Sequence, residues 1–422
     1  MLVGLLSSGV ATALELTSLL SAEHARDRAG AQKQSVALES ELSVSLENAG
    51  SLTAIVDIDV LGPDLLEPRR TDAPFVSQAS RRWYPNEHVV VELREFYLDR
   101  DLHLAGIDGQ VRLGKQQVVW GQADGLRLLD VVNPMDFREF ILADFNDSRI
   151  PTWMANVELF LPFGDLQVLL IPDTTVNHLP PPGALYELTA PFANLPDGVP
   201  VVHQAFDTPG GIADGDAGMR LSLFRGGWDV TVNYMYRHDD LPVIYSRVEN
   251  GTIVLAPGYE RTHTVGGSFS NAFGDIVFRS EVVVNSDRYF AAPATVPGGV
   301  SRRSEVAYVV GFDWSGLSDT LISVQVFQSA LTGSAPVSRD SVDTNVTLLV
   351  RHALLNESVQ LEALWIHHVN DSDNLVRFSA AWEVATNWEL SFYADVFTGE
   401  PAELFGQFDD RDRLGMKLTF GF

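Results

Sequence analysis

The stretch EVAYVVGFDW, residues 305–314, decides the fold, because its largest apolar side chains fall on every second residue. Successive side chains point to opposite faces only in a β-strand. Similar alternation recurs at residues 36–46, at 230–237 and throughout the C-terminal half, whereas helical i, i+3, i+4 stripes are scarce. The sequence therefore predicts an all-β protein. The apolar face of the first stretch comprises Val306, Tyr308, Val310, Phe312 and Trp314, and the polar face carries Glu305 and Asp313.

The 422 residues contain about eighteen such segments, with sixteen as the alternative count. Each is close to the ~9 to 11 residues that a tilted strand needs to cross a bilayer. The predicted strands lie near residues 13–24, 36–47, 51–61, 87–99, 108–120, 151–161, 164–173, 217–226, 227–238, 258–272, 274–286, 302–315, 318–330, 342–353, 356–368, 372–384, 387–399 and 411–422.

The connections between these strands alternate in length. Short turns are predicted at 48–50, 162–164, 225–227, 271–274 and 385–387, and long connections at 62–86, 121–150, 174–216, 239–257, 287–301, 331–341 and 400–410. Outer-membrane barrels have short periplasmic turns on one rim and long extracellular loops on the other. The sequence thus predicts one transmembrane antiparallel β-barrel over residues 14–422, with loops and turns sorted in this way.

Composition excludes several classes of protein. With 29 Lys plus Arg against 56 Asp plus Glu, the net charge is −27, which would repel nucleic acid. A hydrophobic content of 45% predicts a folded chain rather than a disordered acidic one. The chain has no cysteine, which rules out thiol nucleophiles, zinc–cysteine sites, iron–sulfur clusters and disulfides.

The first thirteen residues, MLVGLLSSGVATA, form an apolar run that ends in a small-x-small pattern. Signal peptidase cleaves after such patterns, so residues 1–13 are interpreted as the remnant of a signal peptide for export. A buried N-terminal strand or helix is the alternative interpretation of the same run.

Many charged residues fall on the polar face of the predicted strands. Such side chains cannot pack unpaired in a dry core, and the sequence offers no layer of helices to cover the apolar face. Lipid is then the apolar partner and the polar face lines a pore, whereas a soluble sheet would expose that face to solvent. The residues predicted to line the lumen are Arg220, Arg237, Arg279, Glu281, Arg351, Glu362, Arg377 and Glu389.

A motif within residues 92–134 resembles a segment of porin-like outer-membrane proteins of Gram-negative bacteria. Its pieces are REFYL at 94–98, LGKQQVVWG at 113–121 and DVVNP at 130–134. The family is similar to alginate-export and general porin barrels, and the resemblance implies a barrel and an outer-membrane location. The C-terminal alternation that ends in Phe420 and Phe422 resembles a closing barrel strand, which implies recognition of Phe422 by the outer-membrane assembly machinery.

The same resemblance implies that the connection at 121–150 folds inward and constricts the pore, where charge selects permeating ions. An outward loop is the alternative. The segment holds six acidic and three basic residues, and this excess predicts a mild preference for cations unless arginines dominate the narrowest point. The predicted constriction residues are Asp124, Arg127, Asp130, Asp136, Arg138, Glu139 and Arg149.

No sequence motif predicts catalysis, a cofactor or a metal site. HExxH and GxSxG are absent, and GQVRLGK at 109–115 lacks the Ser or Thr that a P-loop requires after its lysine. Acid-rich pieces at 144–147, 214–216, 371–373 and 409–412 are interpreted as solvated turns, with Ca²⁺ binding as the alternative.

The predicted function is a channel for passive or weakly selective passage of small solutes through the bacterial outer membrane. The alternative is a substrate-specific transporter or export barrel for a siderophore, a polysaccharide or a lipid-like molecule, closed at rest. Its expected partners are outer-membrane lipid and small-molecule solutes, with no nucleic acid. The sequence is compatible with both a monomer and a homo-oligomer.

Overall fold

The computed structural model describes residues 11–47, 50–62, 65–68, 72–189 and 199–422. Nearly all of the predicted signal-peptide remnant, residues 1–13, lies outside this range. Only its last three residues are described, as the beginning of the first strand.

Strands form most of the chain, and they are numbered here in order along the described residues. Their bounds are β1 Ala11–Arg26, β2 Ala31–Leu46, β3 Gly50–Leu61, β4 Trp83–Asn86, β5 Val89–Leu104, β6 Ile107–Gln116, β7 Thr152–Leu161, β8 Gly164–Ile171, β9 Val201–His203, β10 Asp216–Arg225, β11 Trp228–His238, β12 Val243–Glu249, β13 Thr252–Gly258, β14 Arg261–Phe273, β15 Ile276–Ala291, β16 Val300–Leu317, β17 Thr320–Thr332, β18 Val342–Leu354, β19 Val359–His368, β20 Asp373–Ala385, β21 Trp388–Thr398 and β22 Arg413–Gly421. A four-residue helix, α1, spans Phe145–Ser148.

Eighteen of these strands form a closed antiparallel barrel, as the sequence predicted. Each pairs with the next barrel strand along the chain, and β1 pairs with both β2 and β22, which closes the ring. All eighteen predicted segments overlap a barrel strand. The short β4 lies beside β5, and β9, β12 and β13 form a separate three-stranded sheet.

The alternation of apolar and polar residues places them on opposite sides of the barrel wall. Leu16, Val232 and Phe312 are more than half exposed on the outer face, at 61%, 54% and 52%. Polar residues at alternate positions, such as Asn233 and Gln325, are only 2% exposed on the inner side. The outer face is thus apolar, as contact with lipid requires. No helix in the described residues has the length and apolar character needed to cross a bilayer.

Connection length differs between the two ends of the barrel. Tight turns join β5 to β6, β7 to β8, β10 to β11, β14 to β15, β16 to β17 and β20 to β21 at one end, where β1 begins and β22 ends. The turn predicted at 48–50 lies mostly outside the described residues. Long connections, including 62–88, 117–151, 172–215, 239–260 and 399–412, lie at the other end.

The strand register near the sequence motif differs from the one that the positions of its charged residues predict. Because Arg112 and Lys115 fall three residues apart, alternation predicts a bulge near Gly114. The β5–β6 register instead runs continuously through Gly114, and the irregularity lies on β5, where Arg94 is the extra residue opposite β3. Arg112 pairs with Asp99, while the Lys115 ammonium is buried and donates to a backbone carbonyl of β5.

Gly114 itself allows the two strands to approach closely. Its φ of +139° is disfavoured for other residues, and a Cβ there would lie 2.0 Å from the Phe96 carbonyl oxygen. We expect Gly114→Ala to destabilise the folded barrel by about 1 to 3 kcal/mol. The measurement is the urea midpoint of the folded band in semi-native electrophoresis. Gly30→Ala is the control, since Gly30 has a similar φ of +156° but open space around its Cα; equal midpoints for the two variants would contradict this account.

Candidate functional site

The connection between β6 and β7, residues 117–151, enters the barrel and packs against its inner wall. Near its beginning, Trp120 contributes to an apolar cluster with Leu169 of β8 and Met235 of β11. Further along, Phe140 contributes to a second cluster that includes Leu364 and other residues of β18–β21. These clusters lie on different parts of the wall, so the connection, here called the inward loop, crosses the lumen.

Charged residues of the wall hold the backbone of the inward loop. Arg220 donates to the Val119 carbonyl at 3.1 Å, Arg279 to the Gln122 carbonyl at 2.5 Å and Arg377 to the Leu142 carbonyl at 2.6 Å. The Glu281 carboxylate accepts from the amides of Gln122 and Leu129. The sequence predicted that these four wall residues line an open lumen. Their role in anchoring the loop was not predicted.

Glu139 fixes the far part of the inward loop by two ion pairs. Its carboxylate accepts from Lys33 Nζ of β2 at 2.5 Å and from Arg413 Nη1 of β22 at 2.8 Å. Burial alone would raise the pKa of Glu139, but the two cations outweigh it and hold the pKa at about 2. The residue is therefore ionised at neutral pH and stabilises this position of the loop.

A buried charge network joins the inward loop to two neighbouring connections. Arg82 donates to Glu67 at 2.6 Å and to Asp72 at 2.8 Å, and Arg138 of the inward loop donates to Glu67 at 2.6 Å. His178 lies 3.7 Å from Glu67, and burial together with Arg138 lowers its pKa to about 4. Glu67, Asp72 and His178 are close enough to share a metal ion. The Arg82 guanidinium already binds both carboxylates, so the cluster fits an ion-pair network better than a metal site.

Beside the inward loop, a cavity of about 590 Å³ remains between the loop, the connection at 62–88 and the wall formed by β1, β2, β3, β5 and β19–β22. Its lining is mostly polar and charged, which suits hydrated solutes. The predicted site residues that line it are Asp136, Arg138, Glu139 and Arg149 of the loop and Glu362, Arg377 and Glu389 of the wall.

The other predicted site residues lie away from this cavity. Asp124 pairs with Arg279, while Arg127 and Asp130 lie within the loop, where Asp130 accepts from Arg149 at 2.8 Å. Arg237 pairs with Asp240 at 2.9 Å. Arg220, Arg279 and Glu281 hold the loop as described above, and Arg351 pairs with Glu362 at 2.6 Å.

Several carboxylates of the cavity were missed by the sequence reasoning. Asp57 and Asp59 of β3 and Glu92 of β5 line one side, and Asp144 and Asp147 of the inward loop also line it. Among the described residues, none of these five side chains accepts a hydrogen bond. Glu92 lies 3.5 Å from the Lys115 ammonium, and Asp57 is 4.0 Å from its nearest cation, Arg94. The alternation of β3 could have identified Asp57 and Asp59, since both fall on its polar face.

Most bases of the cavity, in contrast, are already neutralised. Lys33 and Arg413 bind Glu139, Arg138 binds Asp136 and Glu67, and Arg377 and Arg413 both bind Asp395. Lys417 has no ion pair in the described part of the chain. The cavity therefore carries an excess of uncompensated negative charge.

Comparison with known proteins agrees with this architecture. Residues 86–329 match the family model described as "Protein of unknown function (DUF1302)". The fold is similar to Pseudomonas aeruginosa OccK8 (OprE), at TM-score 0.54 and 8% identity over 98% of this chain and 99% of that chain. It is also similar to Acinetobacter baumannii OccAB4, at TM-score 0.53 and 8% identity over 98% of each chain. A search of curated proteins finds no match.

Proposed function

We propose that this chain, which belongs to the DUF1302 family, is a porin-like channel of the bacterial outer membrane through which small solutes diffuse. The observation that carries the proposal is the polar cavity of about 590 Å³ between the inward loop and the barrel wall. A closed barrel with an apolar outer face suits a bilayer, and the long connections would then lie outside the cell. The proposal assigns no catalytic step to the chain.

The inward loop would act as the constriction of this channel. It crosses the lumen. Arg279 and Glu281 of the wall hold it near Gln122, and Arg377 of the wall together with the ion pairs of Glu139 holds its far part. Solutes would pass through the cavity beside it, where Asp136, Arg138, Glu139 and Arg149 face the passage.

The charge of the cavity supports a preference for cations. Asp57 and Asp59 face the passage without hydrogen-bond donors in the described residues, whereas most neighbouring bases are engaged in ion pairs. Uncompensated carboxylates along a pore attract cations and repel anions.

Planar-bilayer recording of the purified, refolded protein tests the function. We expect discrete, persistent conductance steps and, in a salt gradient, a reversal potential that shows preference for K⁺ over Cl⁻. Silence from protein that is demonstrably folded would contradict a diffusion channel and favour the substrate-specific barrel closed at rest. A reversal potential of the opposite sign would overturn the cation preference alone.

The role of the acidic wall has its own test. We expect the combined variant Asp57→Asn, Asp59→Asn, Glu92→Gln to shift the reversal potential towards zero, because three carboxylates leave the passage. The control variant is Asp165→Asn, Asp275→Asn, Glu357→Gln, which removes the same charge from exposed positions in or next to the turns at the opposite end of the barrel. Equal shifts for the two variants would show that overall charge, rather than this wall, sets selectivity.

The C-terminal strand would serve as the signal for barrel assembly. Phe422 follows β22, is 62% exposed, and its ring stacks on Phe420 with centroids 5.5 Å apart. Its backbone pairs with Ser18 of β1, so it lies at the seam where the barrel closes. Whether copies of the barrel associate is a separate question that gel filtration in detergent can answer.

A further inference from the structure

The motif at 92–134 has a structural role that its sequence did not reveal. Its three pieces meet where the inward loop leaves β6 and returns to β7. The first piece supplies Arg94, the extra residue of the β5 bulge. Its guanidinium donates to the carbonyls of Asn146, Asp147 and Arg149, at 3.2 Å for Asp147 and 3.5 Å for Arg149. One wall residue thus binds the backbone of α1 and of the residue that follows it.

The third piece supplies Asn133, which is 2% exposed and joins both ends of the loop. Its Oδ1 accepts from the Val118 amide at 2.7 Å. Its Nδ2 donates to the carbonyl of Gln116, the last residue of β6, at 3.2 Å and to that of Ile150 at 3.0 Å. The departing and returning segments are therefore tied by a single buried amide.

The second piece contributes two buried hydrogen-bond donors at the wall. Lys115 is buried and donates to the Leu93 carbonyl at 2.7 Å, directly before the bulged Arg94. Trp120 is likewise buried and donates from Nε1 to Gln167 of β8 at 2.7 Å. A buried donor that lost such a partner would carry a desolvation cost, so these contacts specify one loop position.

We propose that Arg94, Lys115 and Asn133 form a clamp that fixes α1 against the wall and thereby sets the position of Asp144 and Asp147 at the passage. Arg94 is the central positioning residue, because it alone among the three reaches the carbonyls of α1. The effect of the clamp on permeation rests on the proposed channel function, whereas the loop position it sets does not.

The natural absence of cysteine allows a direct test of the loop position. Spin labels at Asp147→Cys and at Ser318→Cys, an exposed turn residue at the opposite end, report the distance from α1 to the barrel rim. We expect one narrow distance distribution in the otherwise native chain and a broad or shifted one after Arg94→Ala. Asn133→Ala should broaden it too, and Arg94→Lys, which reaches fewer carbonyls, should broaden it less.

Arg112→Ala is the matched control, since Arg112 is a nearby arginine of the wall that binds Asp99 and not the loop. It should leave the distribution narrow. Narrow, unshifted distributions in both Arg94→Ala and Asn133→Ala would overturn the clamp. If Arg94→Ala does not assemble, the Arg94→Lys distribution takes its place in this comparison. Bilayer recording separates the two proposals: a silent native protein whose distribution broadens on Arg94→Ala would refute the channel and retain the clamp.

Discussion

Replacing residues 117–151 with a short turn is expected to raise the single-channel conductance several-fold. The inward loop crosses the lumen and lines one side of the cavity, so its removal would widen the passage. A tight turn can replace the loop because Gln116 and Thr152 already pair across β6 and β7. Semi-native electrophoresis would establish that the shortened barrel folds before its conductance is recorded.

The same replacement should weaken the cation preference. The loop carries Asp124 and Glu139, which neutralise Arg279, Lys33 and Arg413 of the wall. Without the loop each of these cations would lose one carboxylate partner, and Asp144 and Asp147 would be lost from the passage. The expected result is a reversal potential closer to zero together with the larger conductance.

Removal of the hairpin formed by β12 and β13, residues 243–258, is the control for this experiment. That hairpin lies at the same end of the barrel but does not line the cavity. Its removal should leave both conductance and selectivity unchanged. If instead the loop-shortened barrel conducted like the native protein, the inward loop would not be the constriction.

The strands could be predicted from the sequence because alternation is a local property. Each wall segment, such as 305–314, shows its two faces within ten residues, and that pattern required no knowledge of what lies across the barrel. The end of β6 was harder to predict. The apolar residues Val118, Val119 and Trp120 were assigned to a strand, whereas they belong to the inward loop and Trp120 is buried inside the lumen.

The site could be predicted only in part, because its contacts join residues that are far apart in the chain. Glu139 was recognised as a loop charge, but its partners Lys33 and Arg413 lie 106 and 274 residues away. Similarly, the position of Arg377 on the polar face of β20 was predictable, while its bond to the Leu142 carbonyl was not. Local patterns identify which face a residue occupies; the course of a long loop decides what that residue touches.

Glu139→Gln is expected to release the far part of the inward loop at neutral pH. Removing one partner of a buried ion pair costs about 3 kcal/mol or more, because the remaining charges lose their compensation. Lys33 would retain Glu23 at 3.1 Å and Arg413 would retain Asp395 at 2.7 Å, so the wall should stay folded while the loop detaches. The readout is a broader distance distribution between labels at Asp147→Cys and Ser318→Cys. The control is Asp124→Asn, which removes the same charge from the other part of the loop, and equal broadening there would contradict a special role for Glu139.

Acid should produce the same release in the native chain. The pKa of Glu139 is held at about 2, below its ordinary value of 4.5, so its ionised form stabilises the folded arrangement. That stabilisation is fully present above the ordinary value and is lost as the pH falls through the window from about 4.5 to about 2. We therefore expect the distance distribution to broaden across this window in the native chain.

In Glu139→Gln the titrating group is absent and the loop is already released. The distribution should therefore be broad throughout this pH window and above it. A distribution that stays narrow in the native chain down to pH 2 would show that the contacts of Arg377 and Arg94 hold the loop without Glu139.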